Sequence, residues 1–151
     1  PVHISLYHQQ ASAIPAAVLA LREKHYPKST IVEYESEVTV ADGRTFEVEV
    51  KTATGEKCEY SAKEDGTLIY TECQVAADTL PTPVQEAVKT KLPEGKIEEA
   101  EEIRRAGQPV HYEVEVQVGE RKHKLKLDEQ GGNLKHLLVV PGEVAIPLPS
   151  H

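Results

Sequence analysis

The 151-residue sequence contains no methionine and no tryptophan, and it has only two cysteines and one phenylalanine. Without methionine Pro1 is not an initiating residue. The chain is therefore expected to be a processed or trimmed product, and the lack of a leader pattern leaves export open. No stretch approaches the ~20 apolar residues that a membrane-crossing helix needs. Basic residues are the minority, 17 against 25 acidic, for a formal net charge of −8. Phosphate backbones require clustered Lys and Arg, so no nucleic-acid partner is expected. The one short basic run, Arg121 to Lys126, alternates with strand periodicity. There is no C-x-x-C or haem-attachment motif, no glycine-rich phosphate loop and no nucleophile elbow. The seven histidines lack the i, i+4 spacing of a helical zinc site. His123 falls on the apolar side of its strand and reads as a packed imidazole. A Cu²⁺ chelate through the Pro1 amine and His3 would require Pro1 to be the mature terminus, which nothing in the sequence shows. No enzyme and no cofactor are expected.

What the chain does contain is an internal repeat. Adding 66 to a residue number carries Ile14-Pro15 to Leu80-Pro81, Val18 to Val84, Pro27 to Pro93 and Ile31 to Ile97. It also carries Phe46-Glu47-Val48-Glu49-Val50 to Tyr112-Glu113-Val114-Glu115-Val116, and Gly66 and Leu68 to Gly132 and Leu134, across one compensated gap near Gly55. Such self-similarity governs the fold reading. Residues 1–11 are an N-terminal tail or extra strand, 12–76 the first unit, 80–140 the second, and 141–151 a Pro-rich tail. The two units are expected to form one compact domain.

Each unit should open on a helix. The first runs from about Pro15, which suits a first helical position, to Tyr26, and Pro27 stops it. The second runs from about Pro83 to Leu92, with Thr82 as N-cap and Gln85 completing a capping box. Alternating strands follow. Val32, Tyr34, Val38 and Val40 alternate with Glu33, Glu35, Glu37 and Thr39, and Phe46, Val48 and Val50 with Glu47, Glu49 and Lys51. Cys58, Tyr60 and Ala62 mark a third strand, and Leu68 to Val75 a fourth. One-face-apolar alternation means antiparallel sheet, covered on one side and wet on the other.

A two-residue hairpin at Asp65-Gly66 makes opposed residue numbers sum to 131, which sets Cys58 against Cys73. A disulfide there would close about 16 residues and constrain the unfolded chain by roughly 3 kcal/mol; with it comes an expected extracytoplasmic home. The alternative is two buried free thiols in a reducing compartment. In the second unit a turn at Gly119-Glu120 pairs Glu113 with Lys126, Glu115 with Lys124 and Gln117 with Lys122, as ordinary charge pairs. The first unit instead gathers glutamates. Glu49 opposes Glu59, Glu59 opposes Glu72, and a turn at Asp42-Gly43 brings Glu37 beside Glu49 or Glu47. Opposed like charges destabilise a sheet, so Glu37, Glu47, Glu49, Glu59 and Glu72 are the candidate binding residues. A solvated acidic face moderated by Lys51, Lys57 and Lys63 is the bland reading of the same pattern.

The Ile/Leu-Pro helix openings, the stops at Pro27 and Pro93, the central Phe-Glu-Val-Glu-Val and Tyr-Glu-Val-Glu-Val strands and the Gly-x-Leu elements together resemble PepSY-like domains with a β-lactamase-inhibitor-protein-like fold, over about residues 14–138. The resemblance implies an α+β fold of two tandem helix-plus-four-stranded antiparallel repeats, forming one extended sheet with helices on one face. It also implies an exported, non-catalytic module, periplasmic or secreted, that docks on a protein partner through the open sheet face to inhibit or regulate it. The acidic face points to a basic partner. A divalent-metal- or small-solute-binding periplasmic protein is the alternative.

Overall fold

The computed structural model describes residues 4–8 and 13–140; the expectations for the Pro1–His3 chelate and the Pro-rich tail lie outside these residues. Strand β1 (Ile4–His8) precedes helix α1 (Ala16–His25) and strands β2 (Thr30–Thr39), β3 (Gly43–Lys51), β4 (Lys57–Lys63) and β5 (Leu68–Gln74). A 3-10 turn at Ala77–Thr79 leads to helix α2 (Thr82–Lys91) and strands β6 (Lys96–Arg105), β7 (His111–Val118), β8 (Arg121–Asp128) and β9 (Asn133–Val139). The nine strands form a single sheet in sequence order, antiparallel throughout. Of the two readings of the N-terminal residues, the extra strand is the one realised: β1 pairs with β2 at the sheet edge.

Both helices begin just after a proline, α1 one residue later than the sequence reading places it and α2 one residue earlier. Pro15 and Pro81 are N-caps with extended ψ of 143° and 140°, not first helical residues. The Pro81 carbonyl accepts from both Val84 and Gln85. Thr82 therefore lies inside the first turn and makes no cap. The Gln85 side chain instead donates to the Leu80 carbonyl at 2.7 Å. Each helix stops in front of its proline, at Tyr26 and Leu92, because proline has no N–H to continue the ladder.

Two cores result. Val18 of α1 is buried with Tyr34, Phe46, Val48, Val50, Cys58, Tyr60 and Ala62, and the Tyr60 hydroxyl donates to the Val18 carbonyl at 2.9 Å. Val84 and Val88 of α2 are buried with Tyr112, Val114, Val116, Leu125 and Leu127. Directly opposed residues share a sheet face. Cys73, packed against the first core, pairs with Glu102, which pairs with Tyr112 of the second. Both helices thus cover the same surface, and the other surface carries no helix among the described residues.

Bulges adjust the alternation. One between Ile31 and Glu33 sends Ile31 to the core and leaves Val32 54% exposed, against the expected inward Val32; Val40, in the turn, is 81% exposed. A corresponding bulge lies between Ile97 and Glu99. The Asp65-Gly66 hairpin also departs from its simple form. Lys63 pairs with Thr67 across three residues, and a bulge at Ser61/Ala62 restores the sum of 131. Cys58 and Cys73 are therefore opposed and form a disulfide. The β8–β9 connection does the same, with Asp128 paired to Gly132 and a bulge at Lys126/Leu127. Gly66 and Gly131 occupy the same place in their two turns, at φ of 86° and 79°.

Both turn glycines touch the first turn of a helix, Gly66 against Ala17 and Gly131 against Pro83. A Cβ on Gly131 would sit 2.4 Å from the Pro83 carbonyl oxygen, whereas Gly107, at φ 72°, has nothing within 4 Å. Gly107→Ala should cost the left-handed strain alone, about 1–2 kcal/mol. Gly131→Ala should cost about 1–3 kcal/mol beyond that, because α2 must shift off the turn. Urea unfolding of the two variants measures the difference.

Candidate functional site

The uncovered surface is built by the odd-numbered side chains of β2, β3 and β4 and their partners. Glu33, Glu49, Glu59 and Glu72 stand in direct succession across β2 to β5, and the row continues through Ile103 to His111. The expected succession Glu49–Glu59–Glu72 is present. Glu37 is not its fourth member: β2 runs on to Thr39, the turn holds Val40 to Asp42, and Glu37 faces Thr45 while Glu33 faces Glu49. A second row runs Glu35, Glu47, Ser61, Tyr70, Arg105. Glu37 flanks it, close enough to Glu47 that one ligand atom from each of Glu35, Glu37 and Glu47 falls within 4.8 Å of the others.

The acidic surface extends past the first unit. Glu101 opposes both Gln74 and Glu113, and Glu99 opposes Glu115. A shallow groove over β3 to β6 is lined by Glu49, Glu59, Glu72, Glu99 and Glu101, with Lys57 at its side. Sequence reasoning missed Glu99 and Glu101. β5 and β6 are joined through a helix rather than a hairpin, so no turn sum predicts their pairing. Beyond β7 the sign changes. Glu113, Glu115 and Gln117 oppose Lys126, Lys124 and Lys122 as expected, and Lys126 Nζ lies 2.8 Å from Glu113 Oε1.

These carboxylates cannot all ionise without cost. The Tyr70 hydroxyl lies 2.8 Å from Glu47 Oε1 and 2.5 Å from Glu59 Oε1. One phenolic proton serves one of them, so a second bond needs a protonated carboxyl. Burial, with the neighbouring carboxylates adding to it, holds Glu47 and Glu59 above the usual carboxylate range. Burial and a hydrogen bond with Glu72 push Glu101 up to about 8. Glu115 is raised by its hydrogen bond with Glu99, and Glu99 is lowered in turn. Two offsetting contacts are that Arg105 stacks 4.8 Å above the Tyr70 ring and that Lys57 lies 3.8 Å from Glu49. Ile103 is only 3% exposed although it stands among these charges.

Against this geometry the comparisons are informative about fold. A family model described as "Putative beta-lactamase-inhibitor-like, PepSY-like" matches residues 6–70 and 47–136. The chain belongs to this family. The two matches overlap at residues 47–70 and so do not divide at the boundary between the helix-led halves. A BLIP-like protein from Bacteroides fragilis is similar with a TM-score of 0.66 at 20% identity, covering 87% of this chain and 92% of that one. A "putative periplasmic" protein from Bacteroides eggerthii gives 0.69 at 13% identity, over 82% and 88% of the two chains. A DUF2874 family protein from Bacteroides uniformis gives 0.68 at 14%, with the same coverages. No curated protein matches the chain. Neither the family nor these structures names a reaction, and no helix among the described residues is long and apolar enough to cross a membrane.

The raised carboxyls make stability pH-dependent. Glu47, Glu59, Glu101 and Glu115 hold protons in the folded chain at pH values where the unfolded chain, near 4.5, has lost them. Their contribution is fully present below about pH 4.5 and is lost as pH rises through the folded values, for Glu101 around 8. Glu99, Glu56 and Asp65, which are lowered, act in the opposite direction on acidification. Glu101→Gln should therefore flatten the decline in urea midpoint between pH 5 and 8. An unchanged slope would remove Glu101 from the account.

Proposed function

We propose that this chain is a non-catalytic extracytoplasmic binding module, periplasmic or secreted, that engages a basic protein partner through the open carboxylate face and thereby inhibits or regulates it. The observation that carries the reading is the direct opposition of Glu33, Glu49, Glu59 and Glu72 on a surface that no helix covers among the described residues. Like charges placed face to face reduce stability, and a feature that lowers stability is a candidate for function. Glu37 and Glu47 belong to the same surface through the neighbouring row. A cationic partner would relieve the repulsion, and the field of the face would speed its approach in a salt-dependent way. The Cys58–Cys73 disulfide favours an oxidising compartment, as does the similarity to the "putative periplasmic" protein from Bacteroides eggerthii. We read residues 12–76 and 80–140 as copies of one duplicated unit. The support is the recurrence of the bulges, the three-residue turns and the glycine-to-helix contacts.

Glu33→Lys/Glu49→Lys reverses two exposed or half-buried members of the row and leaves Tyr70 its carboxylate partners. The native chain should retain a defined protein from its own extracytoplasmic fraction at low salt, and the variant should release it. Equal retention by both chains would take the acidic face out of the mechanism.

A second reading rests on Glu35, Glu37 and Glu47, whose clustered oxygens suit a hard divalent cation such as Ca²⁺. Titration calorimetry with Ca²⁺ should then give heat at micromolar metal that is lost in Glu35→Gln/Glu47→Gln. Heat confined to millimolar metal would dismiss it.

A further inference from the structure

The helix-covered surface carries a different pair of donors at its far margin. His123 lies on β8 and His136 on β9. The register sets His123 opposite Leu138 and His136 opposite Leu125, so the two imidazoles are diagonal neighbours on one face. His136 is exposed and His123 half-buried, with Nδ1 of His123 2.9 Å from Nε2 of His136. The ring centroids are 5.1 Å apart at an interplanar angle of 43°.

We propose that His123 and His136 form a two-imidazole surface chelate for a divalent transition-metal ion, Cu²⁺ above all. Metal–imidazole bonds are about 2.0–2.1 Å long, so two nitrogens at right angles on one ion stand about 2.9 Å apart. That is the spacing the ladder between β8 and β9 already sets. In the metal-free chain one ring donates N–H to the other. An ion equidistant from both nitrogens would sit about 1.5 Å to the side of the line joining them. The exposed His136 ring reaches it by turning through solvent. Both facing nitrogens must then offer lone pairs, which leaves the hydrogens on His123 Nε2 and His136 Nδ1. One ring changes tautomer, and no proton is released when both rings start neutral.

Burial first, then the neighbouring His123 and Lys91 of α2, hold His136 below the usual imidazole range. The ring is therefore neutral, and able to ligate, at neutral pH. The Lys91 ammonium also opposes a cation, which limits affinity. Among the described residues no further His, Cys, Asp or Glu joins the pair in a group of three. The other positions fall to water. Tetragonal coordination with two nitrogens and water oxygens suits Cu²⁺, which also heads the affinity order of the divalent series. This site lies on the sheet surface opposite the carboxylates and stands independently of the function proposed above.

The test uses the full chain carrying His3→Ala, which disables the amino-terminal copper chelate, and Cu²⁺ alone. Calorimetry should give one-to-one binding in the micromolar range, with electron spin resonance showing coupling to imidazole nitrogen. The unfolding temperature should rise with metal, since the ion ties β8 to β9. His136→Asn should weaken binding by at least the ~10–100-fold lost when a supporting contact of a ligand is removed. His123→Asn should do the same. Equal affinity in the parent and in His123→Asn/His136→Asn, or saturation only at millimolar copper, would overturn the proposal.

Discussion

The pairing of β5 with β6 is the constraint on which the rest of the molecule depends. Like the β1–β2 pair at the edge it is made across a helix rather than a short connection, and it alone keeps the side-chain alternation in phase from one half to the other. A shift of one residue there would turn every apolar side chain of the second half to the opposite surface, and α1 and α2 would no longer cover the same one. With the observed register, Cys73, Glu102 and Tyr112 stay on the covered surface, while Glu72, Ile103 and His111 stay on the open one.

The same register concentrates charge. Because the sheet is continuous, the glutamates of the first half meet Glu99 and Glu101 of the second. The lysines of β8 oppose β7, and of these carboxylates Lys124 acts on Glu99. The face is therefore polarised, acidic over β2 to β7 and basic at β8. Burial and mutual repulsion raise its central carboxyls Glu47, Glu59 and Glu101 above the usual carboxylate range, and the hydrogen bond with Glu99 raises Glu115. A surface of this kind is tolerated because its chains are held from behind by two apolar cores and, in the first half, by the Cys58–Cys73 bridge.

Local patterns were legible wherever a tight connection set the register. The Gly119-Glu120 turn made the β7–β8 pairs readable to the residue. The cysteine pairing was also read correctly, although by a simpler route than the chain takes, since a three-residue turn and a one-residue bulge compensate each other. Where no compensation operates the reading drifted. Glu37 was placed in the row that Glu33 occupies, because the end of β2 was taken at Asp42-Gly43 and the turn begins at Val40. Val32 was assigned inward because the bulge beside it leaves no mark in simple alternation. Thr82 looked like a cap because its neighbours fit a capping box, but the carbonyl of Pro81 had already started the helix.

By itself the sequence determined the element types, their order, the covered-and-open character of the sheet, the cysteine partners and the acidic balance. Each of these follows from period-two alternation, proline and glycine positions, or a short turn, all of which act within about twenty residues. The tertiary structure alone decided that β5 lies beside β6, that Glu72 meets Glu101, and that His123 meets His136 across β8 and β9. Those neighbours are set by which strands share a ladder and by where bulges fall. Both are settled by packing two helices onto one continuous surface rather than by any local preference of the chain.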